Sequence, residues 1–200
     1  IDDLFLLSRW ESRRYPMSPV LVESSEMLRN ILAGLVQDCE VRGVSLEADI
    51  PDVAHKVYVD VSAMERVVVN LITNALRYVS EGDKIMVSLK NRLDGVEIVV
   101  EDTGPGIPED ILSHIFERYY SHKPKEVSTH AGVKTASTSR GEKTLDGSLA
   151  TYGTGLGLAI VKEIVQAHGG QVYAANRPLG GSRFVIVIPR RFRSSRLVKA

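Results

Sequence analysis

The chain has 200 residues, of which 44% are hydrophobic and 25% are charged, proportions that are typical of a globular domain. Its 25 basic and 25 acidic side chains cancel to a formal net charge of zero, and nothing in that balance points to a nucleic-acid or anionic-membrane partner. The single cysteine, Cys39, excludes an internal disulfide, and its amphipathic surroundings predict a small hydrophobic core residue.

The first sixty residues predict two helices and three short strands. Apolar residues at helical spacing indicate that residues 1–15 are the end of a helix, so we expect a fragment of a longer protein. Ser24 is predicted to cap a second helix, whose buried stripe extends to Val36 and which Gly43 ends. Apolar alternation predicts short strands at three places: around Leu21, at residues 44–50 and at residues 56–60.

A strongly amphipathic helix is predicted next. Ser62, with Glu65 three residues later, has the spacing of a capping box, so the helix is expected to start there. The apolar residues that follow have the period of one buried helix face: Met64, Val67, Val68, Leu71, Ile72, Ala75 and Val79.

A second stripe on this helix carries Asn70, Asn74 and Arg77, at positions i, i+4 and i+7. Asn is a mediocre helix former because its side chain competes for backbone hydrogen bonds, so two on one stripe favour a ligand site. Amide oxygens suit Mg²⁺ that also binds phosphate oxygens, and the planar fork of Arg suits phosphate itself. For this segment alone, a polar face with incidental Asn is an alternative of about equal weight.

Strand patterns on both sides of Asp94-Gly95 predict a hairpin, whose second strand leads into residues 101–108. Two glycines and two prolines give these residues an unusual loop backbone, and glycine lets a ligand approach the main chain. Asp102 is placed at the strand end to accept a hydrogen bond from an exocyclic amine such as that of adenine. The alternative is a plain turn with a solvated Asp102.

After Pro108 a short helix is predicted, followed by an aromatic segment in which Phe116 suits core packing and Arg118 suits an anion. Residues 121–152 are rich in Ser and Thr and show no period, which predicts a mobile lid with a poorly ordered insert. A tolerated surface insertion is the simpler interpretation of its length.

A glycine-rich turn from Gly153 to Gly157 opens a helix that is expected to end at His168-Gly169-Gly170. Glycines at a helix start let backbone N–H groups and the positive end of the helix dipole meet a phosphate. The turn is not a Walker motif, because no Gly-Lys-Ser/Thr follows. Three segments complete the chain: predicted strands at residues 171–175 and 182–188, and a basic tail at 191–200.

Four motifs in a fixed order carry a family resemblance. They are Asn70-Leu-Ile-Thr-Asn74-Ala, Asp102-Thr-Gly-Pro-Gly-Ile-Pro, Ile115-Phe-Glu-Arg-Tyr-Tyr and Gly153-Thr-Gly-Leu-Gly-Leu. Together they resemble the ATP-binding catalytic domain of two-component sensor histidine kinases. The implied fold is the α+β Bergerat fold, a two-layer α/β sandwich whose mixed, mostly antiparallel sheet is backed by helices. The domain would span residues 16–190, with an extended ATP lid at 121–152.

The resemblance implies roles for individual side chains. Asn74 would hold Mg²⁺, Asp102 would bind the adenine amino group, and Tyr78 would pack on the adenine ring. The residues implied in phosphoryl transfer are Asn70, Arg77 and Arg118. The residues implied in nucleotide binding are Asn70, Asn74, Arg77, Tyr78, Asp102, Gly104, Gly106, Ile107, Phe116, Gly153, Thr154, Gly155, Leu156, Gly157 and Leu158.

The implied function is transfer of the γ-phosphoryl group of ATP to a histidine on a separate dimerisation domain, in a two-component phosphorelay. Residues 1–15 would be the end of the second helix of that domain, and no histidine of the chain has the His-Glu/Asp-x-x-x-Pro context of the acceptor. The expected partners are the parent's own dimerisation domain and a response-regulator receiver domain, and no nucleic acid is expected. The fragment is expected to be a monomer and the parent a homodimer.

Two other functions stay open. Bergerat-fold ATPases resemble one another in a Glu one turn before the metal Asn, a position taken here by Asn70, which is a poor base. A degenerate nucleotide-binding or scaffolding module is the second alternative. The expected location is the cytoplasm, and a membrane anchor in the parent is left open. No apolar run in the given sequence is long enough to span a membrane.

Overall fold

A computed structural model describes residues 16–118 and 155–191. The strands in these ranges are β1 (Val20–Glu23), β2 (Ser45–Asp49), β3 (Lys56–Val59), β4 (Lys84–Arg92), β5 (Gly95–Asp102), β6 (Gln171–Asn176) and β7 (Ser182–Pro189). The helices are α1 (Ser24–Ala33), α2 (Val36–Val41), α3 (Val61–Tyr78), α4 (Glu109–Leu112) and α5 (Gly157–Ala167). None of these helices is both long and apolar enough to cross a membrane.

The main sheet has five strands in the order β2-β4-β5-β7-β6. Strand β2 runs parallel to β4, and the other neighbouring pairs are antiparallel. Strands β1 and β3 form a separate antiparallel pair. Apolar faces of the longer helices join those of the strands in one core. The predicted two-layer sandwich with a mixed, mostly antiparallel sheet is therefore confirmed.

Helix α3 lies at the centre of this core. Its predicted apolar face is buried except for Val79, which follows the helix and is half-buried. Val67, Val68, Leu71 and Ile72 are fully inaccessible to solvent. Burial of each side chain of this size contributes about 1.5–3 kcal/mol to the free energy of unfolding. The rotation of α3 about its axis is therefore strongly specified. The stripe that carries the asparagines therefore has a fixed direction.

Two predicted helix caps were wrong by one or two residues. Helix α3 is capped by Asp60 and not by Ser62: the Asp60 carboxylate accepts from Ala63 N at 3.1 Å. That carboxylate also accepts from Ser18 N at 3.0 Å, a contact between residues distant in the chain.

At α1 the cap is Glu23, whose carboxylate accepts from Ser25 N and Glu26 N, while the predicted cap, Ser24, donates its hydroxyl to the His55 carbonyl. In both helices a carboxylate before the predicted hydroxyl satisfies the free N–H groups.

The single helix predicted to end at Gly43 is broken in two. Helix α1 ends before Gly34, a poor helix former, and α2 begins after Leu35. The break turns Leu35 into the core and leaves Val36 41% exposed, so the predicted burial of Val36 was wrong. Cys39 on α2 is buried as predicted, and burial raises the pKa of its thiol.

His168, directly after α5, is fully buried. Burial disfavours the charged imidazolium and lowers the pKa of His168, against the opposing effects of its bond to the Ile164 carbonyl and of the nearby Asp60 carboxylate. The unfolded chain therefore binds a proton at this residue more readily than the folded chain does.

We expect the free energy of unfolding to fall as the pH drops below about 6.5, the unfolded pKa of histidine, by up to about 1.4 kcal/mol per pH unit. The loss stops at the lower folded pKa. Urea unfolding of the wild type and of His168→Gln between pH 5 and pH 8 measures this loss of unfolding free energy, because the variant lacks the proton site of His168. Parallel pH profiles for the two proteins would contradict the prediction.

Candidate functional site

The asparagine stripe of α3 lies beside the buried face. Asn70 and Asn74 are half-buried and one turn apart, and Arg77 is exposed in the last turn. The Nδ2 atom of Asn70 is buried and has no hydrogen-bond partner among the described residues. A buried donor without a partner costs about 1–3 kcal/mol, so the Nδ2 atom of Asn70 does not contribute to the stability of the fold. This observation favours a ligand over an incidental polar face.

The first turn of α5 lies against this amide. A Cβ atom built on Gly157, the first residue of α5, would lie 3.5 Å from Asn70 Oδ1. No side chain in the described residues caps this helix, so the N–H groups of its first turn and its positive dipole end are available. Leu156, directly before the helix, is buried and anchors the turn to the core.

Two sets of donors that have no side-chain partner in the described part of the chain therefore meet at one place: Asn70 Nδ2 and the first N–H groups of α5. A phosphate chain fits them, because it supplies both acceptor oxygens and negative charge. Asn74 offers a neutral amide oxygen one turn further along α3, a ligand type that Mg²⁺ accepts. No group of three or more His, Cys, Asp or Glu residues in the described ranges could hold a metal. A metal held at Asn74 would need further oxygen ligands, which bound phosphates and water can supply.

Asp102, at the end of β5, lies in a network of donors. Its Oδ1 accepts from Gly104 N at 2.9 Å and from Ser182 N at 3.1 Å, and its Oδ2 accepts from the Ser182 hydroxyl. The residue is buried, so the alternative of a plain turn with a solvated Asp102 was wrong. A carboxylate has about four acceptor positions, and three are used here, so Oδ2 can accept one further donor.

The loop after Asp102 packs tightly on the end of α3. A Cβ atom on Gly104 would lie 3.1 Å from Asp102 Oδ1 and 3.3 Å from the Tyr78 carbonyl oxygen, so a larger residue would press on both. Gly106 has a φ of 79°, a conformation that other residues rarely adopt. The loop thus brings Tyr78 and Asp102 to the same wall of the site.

Asn176, at the end of β6, holds the far side of this loop. Its Oδ1 accepts from Ile107 N and its Nδ2 donates to the Ile107 carbonyl, each at 2.7 Å. The side chain therefore satisfies both backbone groups of a residue that is itself buried. Arg177, the next residue, donates to the Asp102 carbonyl at 2.8 Å.

Replacing Asn176 by Ala is expected to weaken nucleotide binding about three- to tenfold, because two backbone groups of Ile107 lose their partners and the loop loosens. Calorimetric titration with Mg-ATP measures the change. Asn176→Asp, which keeps the acceptor for Ile107 N but sets a second acceptor against the Ile107 carbonyl, should lose at least as much. Equal affinity of the Ala variant and the wild type would show that the loop holds its shape without Asn176.

Residues 59–191, more than half of the chain, match the family model described as histidine kinase-, DNA gyrase B-, and HSP90-like ATPase. The chain belongs to this family. Among curated relatives, the alginate biosynthesis sensor protein KinB of Pseudomonas aeruginosa is 31% identical over 189 residues, which cover 94% of the chain and 28% of KinB. The sensor histidine kinase CpxA of Escherichia coli K12 is also 31% identical over 189 residues, covering 94% of the chain and 36% of CpxA. The chain therefore spans about a third of each relative.

Solved structures agree on the architecture of this ATPase family. The catalytic domain of the histidine kinase ThkA has a TM-score of 0.68 and 23% identity, and the match covers 88% of the chain and 99% of that domain. ThkA in complex with the response regulator TrrA matches with a TM-score of 0.67 and 19% identity, over 94% of the chain and 48% of ThkA. At these identities the structures support the fold alone, and the predicted Bergerat fold is confirmed.

The structure brings some of the predicted residues together at two places. The first joins Asn70 to Gly157, and the second joins Asp102 and Gly104 to the end of α3. Phe116 packs edge-to-face on Phe184 with ring centroids 6.3 Å apart, so the core packing predicted for it is observed. Two predicted residues, Gly153 and Thr154, lie outside the described residues, as does the segment 121–152.

Sequence reasoning missed the residues that hold the Asp102 loop. They are Ser182, Asn176, Arg177 and Asp83, which accepts from the Thr103 hydroxyl at 2.6 Å. Ser182 lies 80 positions from Asp102, and no local pattern indicates that contact. The available signal was the adjacent Gly180-Gly181. A Cβ on Gly181 would lie 1.9 Å from the Asp102 carbonyl oxygen, so this turn must approach the loop closely.

Proposed function

We propose that the chain binds ATP with Mg²⁺ between α3, the Asp102 loop and the start of α5, and transfers the γ-phosphoryl group to a histidine on a separate dimerisation domain. The main support is that the Asn70 Nδ2 atom and the start of α5, neither of which has a side-chain partner among residues 16–118 and 155–191, lie together. This pair of donors suits a polyphosphate, and the buried acceptor Asp102 suits the adenine amine.

In this arrangement each side chain has a separate task. The α5 N–H groups and the Asn70 amide bind phosphate oxygens, and the Arg77 and Arg118 side chains supply positive charge. Asp102 sets the position of the base, and Tyr78 covers its ring. Mg²⁺, held through Asn74, would supply further neutralisation of phosphate charge.

The proposed reaction is displacement at phosphorus. A nitrogen of the acceptor imidazole forms a bond to the γ-phosphorus while the bond to the β–γ bridging oxygen breaks, which leaves ADP. Such a reaction depends mostly on positioning and charge neutralisation. Asn70, at the position where the ATPases carry a Glu, cannot act as a general base for water. This favours transfer to an external imidazole over hydrolysis.

The proposed domain organisation follows from the similarity of the chain to sensor histidine kinases. Residues 16–190 would be the ATP-binding domain, residues 1–15 the end of the second dimerisation helix, and residues 191–200 a basic tail. A response-regulator receiver domain is the proposed downstream partner, supported by the complex of ThkA with TrrA. The domain is proposed to act in the cytoplasm, as part of a homodimeric parent.

The experiment has two parts. Calorimetric titration of this chain with Mg-ATP should show saturable binding, which EDTA weakens and for which GTP is a poor competitor. A separate dimerisation domain with an acceptor histidine should then become labelled from γ-³²P-ATP, while this chain itself does not. Absence of binding at millimolar Mg-ATP, or stable label on this chain, would refute the proposal.

A further inference from the structure

His168 connects two helices of the candidate site at the end that is far from the site. Its ring is fully buried and forms hydrogen bonds at both nitrogens. Nε2 faces the backbone N–H of Asp60 at 3.0 Å, and Nδ1 faces the carbonyl of Ile164 at 2.8 Å. Because a backbone N–H can only donate, Nε2 is the acceptor and Nδ1 carries the proton.

Asp60 is itself a well-fixed partner. It is 7% exposed and caps α3, with Oδ1 accepting from Ala63 N and Oδ2 accepting from Ser18 N. Its main-chain N–H donates the hydrogen bond that His168 Nε2 accepts. The bond therefore joins the residue that follows α5 to the residue that precedes α3.

The two helices run in opposite directions. The end of α5 lies at Asp60, at the start of α3, whereas Gly157 at the start of α5 lies beside Asn70. Ten residues separate Asp60 from Asn70 and eleven separate Gly157 from His168, which at the rise of an α-helix is about 15–17 Å. The polar link and the candidate phosphate site thus lie at opposite ends of one helix pair.

The buried faces of both helices are apolar between these ends. Interlocking apolar side chains set how closely two helices approach and limit their axial positions, but the hydrophobic attraction itself has no preferred direction. The hydrogen bond of His168 is directional, because an N–H to nitrogen bond weakens steeply when its length or angle changes. It is therefore suited to determine the axial position of α5 relative to α3.

We propose that His168 is a positioning residue of the nucleotide site, which through its bond to Asp60 sets the axial position of α5 and so places the first N–H groups of α5 against the Asn70 amide. This inference rests on the proposed function, since it assumes that ATP binds at that junction. It goes beyond that function by assigning a role in binding to a residue about 16 Å along the helix from the phosphates.

Two matched substitutions separate the two bonds of His168. In His168→Gln, Oε1 is as many bonds from Cα as Nε2 is in histidine, so the acceptor for Asp60 N is kept. In His168→Asn, the shorter amide reaches Ile164 but not Asp60. Val165→Ala is the stability control, because it removes buried apolar volume from the same helix and leaves both bonds of His168 intact.

Each protein is titrated calorimetrically with Mg-ATP at pH 8 and at a temperature where urea unfolding shows it to be folded. We expect His168→Gln to bind within about threefold of the wild type and His168→Asn to bind at least about tenfold more weakly. Val165→Ala should lose stability and keep its affinity. If a variant does not fold in buffer, all four proteins are compared in trimethylamine N-oxide, which strengthens burial.

Each outcome has a distinct meaning. Wild-type affinity in folded His168→Asn would overturn the positioning role while the proposed function stands. Equal weakening in Val165→Ala and His168→Asn would also overturn it, because any loss of core stability would then have the same effect. If the wild type itself does not bind Mg-ATP, the proposed function fails and this inference fails with it.

Discussion

Replacing Asp102 by Asn is expected to weaken Mg-ATP binding at least about 100-fold, or about 2.8 kcal/mol. The fold should survive this change. With the amide oxygen at the Oδ1 position, the N–H groups of Gly104 and Ser182 keep their acceptor, and the Ser182 hydroxyl can rotate to accept from the new NH₂ group. The adenine amine then faces a donor in place of an acceptor, which is the source of the expected loss.

An exchange of the base tests this explanation directly. Inosine triphosphate carries a carbonyl acceptor where ATP carries the amine, so Asp102→Asn should prefer it to ATP, whereas the wild type should prefer ATP. Ser182→Ala is the matched control, because it removes one contact to Oδ2 and keeps the carboxylate. Folded Asp102→Asn that retains its preference for ATP would show that Asp102 does not contact the base.

Replacing Asn74 by Ala is expected to abolish the effect of Mg²⁺ on ATP affinity. In the wild type we expect Mg²⁺ to strengthen binding at least about tenfold, because a metal held by the Asn74 oxygen would neutralise phosphate charge. In the variant, titrations with Mg²⁺ and with EDTA should give the same dissociation constant. Ala is the better helix former, by up to about 0.7 kcal/mol, so the variant should unfold at equal or higher urea concentration.

A loss of Mg²⁺ dependence without a loss of stability would separate a binding role from a structural one. Thr73→Ala is the matched control, since Thr73 is half-buried on the same helix and donates its hydroxyl back to the Val69 carbonyl. That variant should keep the Mg²⁺ effect. If Asn74→Ala also keeps it, Asn74 is not the metal ligand, and the metal must be held by other groups.

Local patterns predicted most of this fold. The period of Val67, Val68, Leu71 and Ile72 identified α3 and its buried face, because a buried helix face repeats every 3.6 residues. Asp94-Gly95 identified the β4–β5 hairpin for a similar reason, since its turn residues are neighbours in the chain. Where a competing contact came from a distant residue, local reasoning failed. Asp60 caps α3 in place of Ser62, and it also binds Ser18.

The sequence by itself determined the inventory of the site: the asparagine stripe, the Asp102 loop and the glycine-rich start of α5, each a short segment with its own signature. Only the tertiary structure decided how these parts meet. It brought Gly157 beside Asn70, and it formed the hydrogen bonds between Ser182 and Asp102 and between His168 and Asp60. These pairs lie 80 or more positions apart in the chain. Their contacts depend on the order and register of the sheet and on helix packing, which no local period encodes.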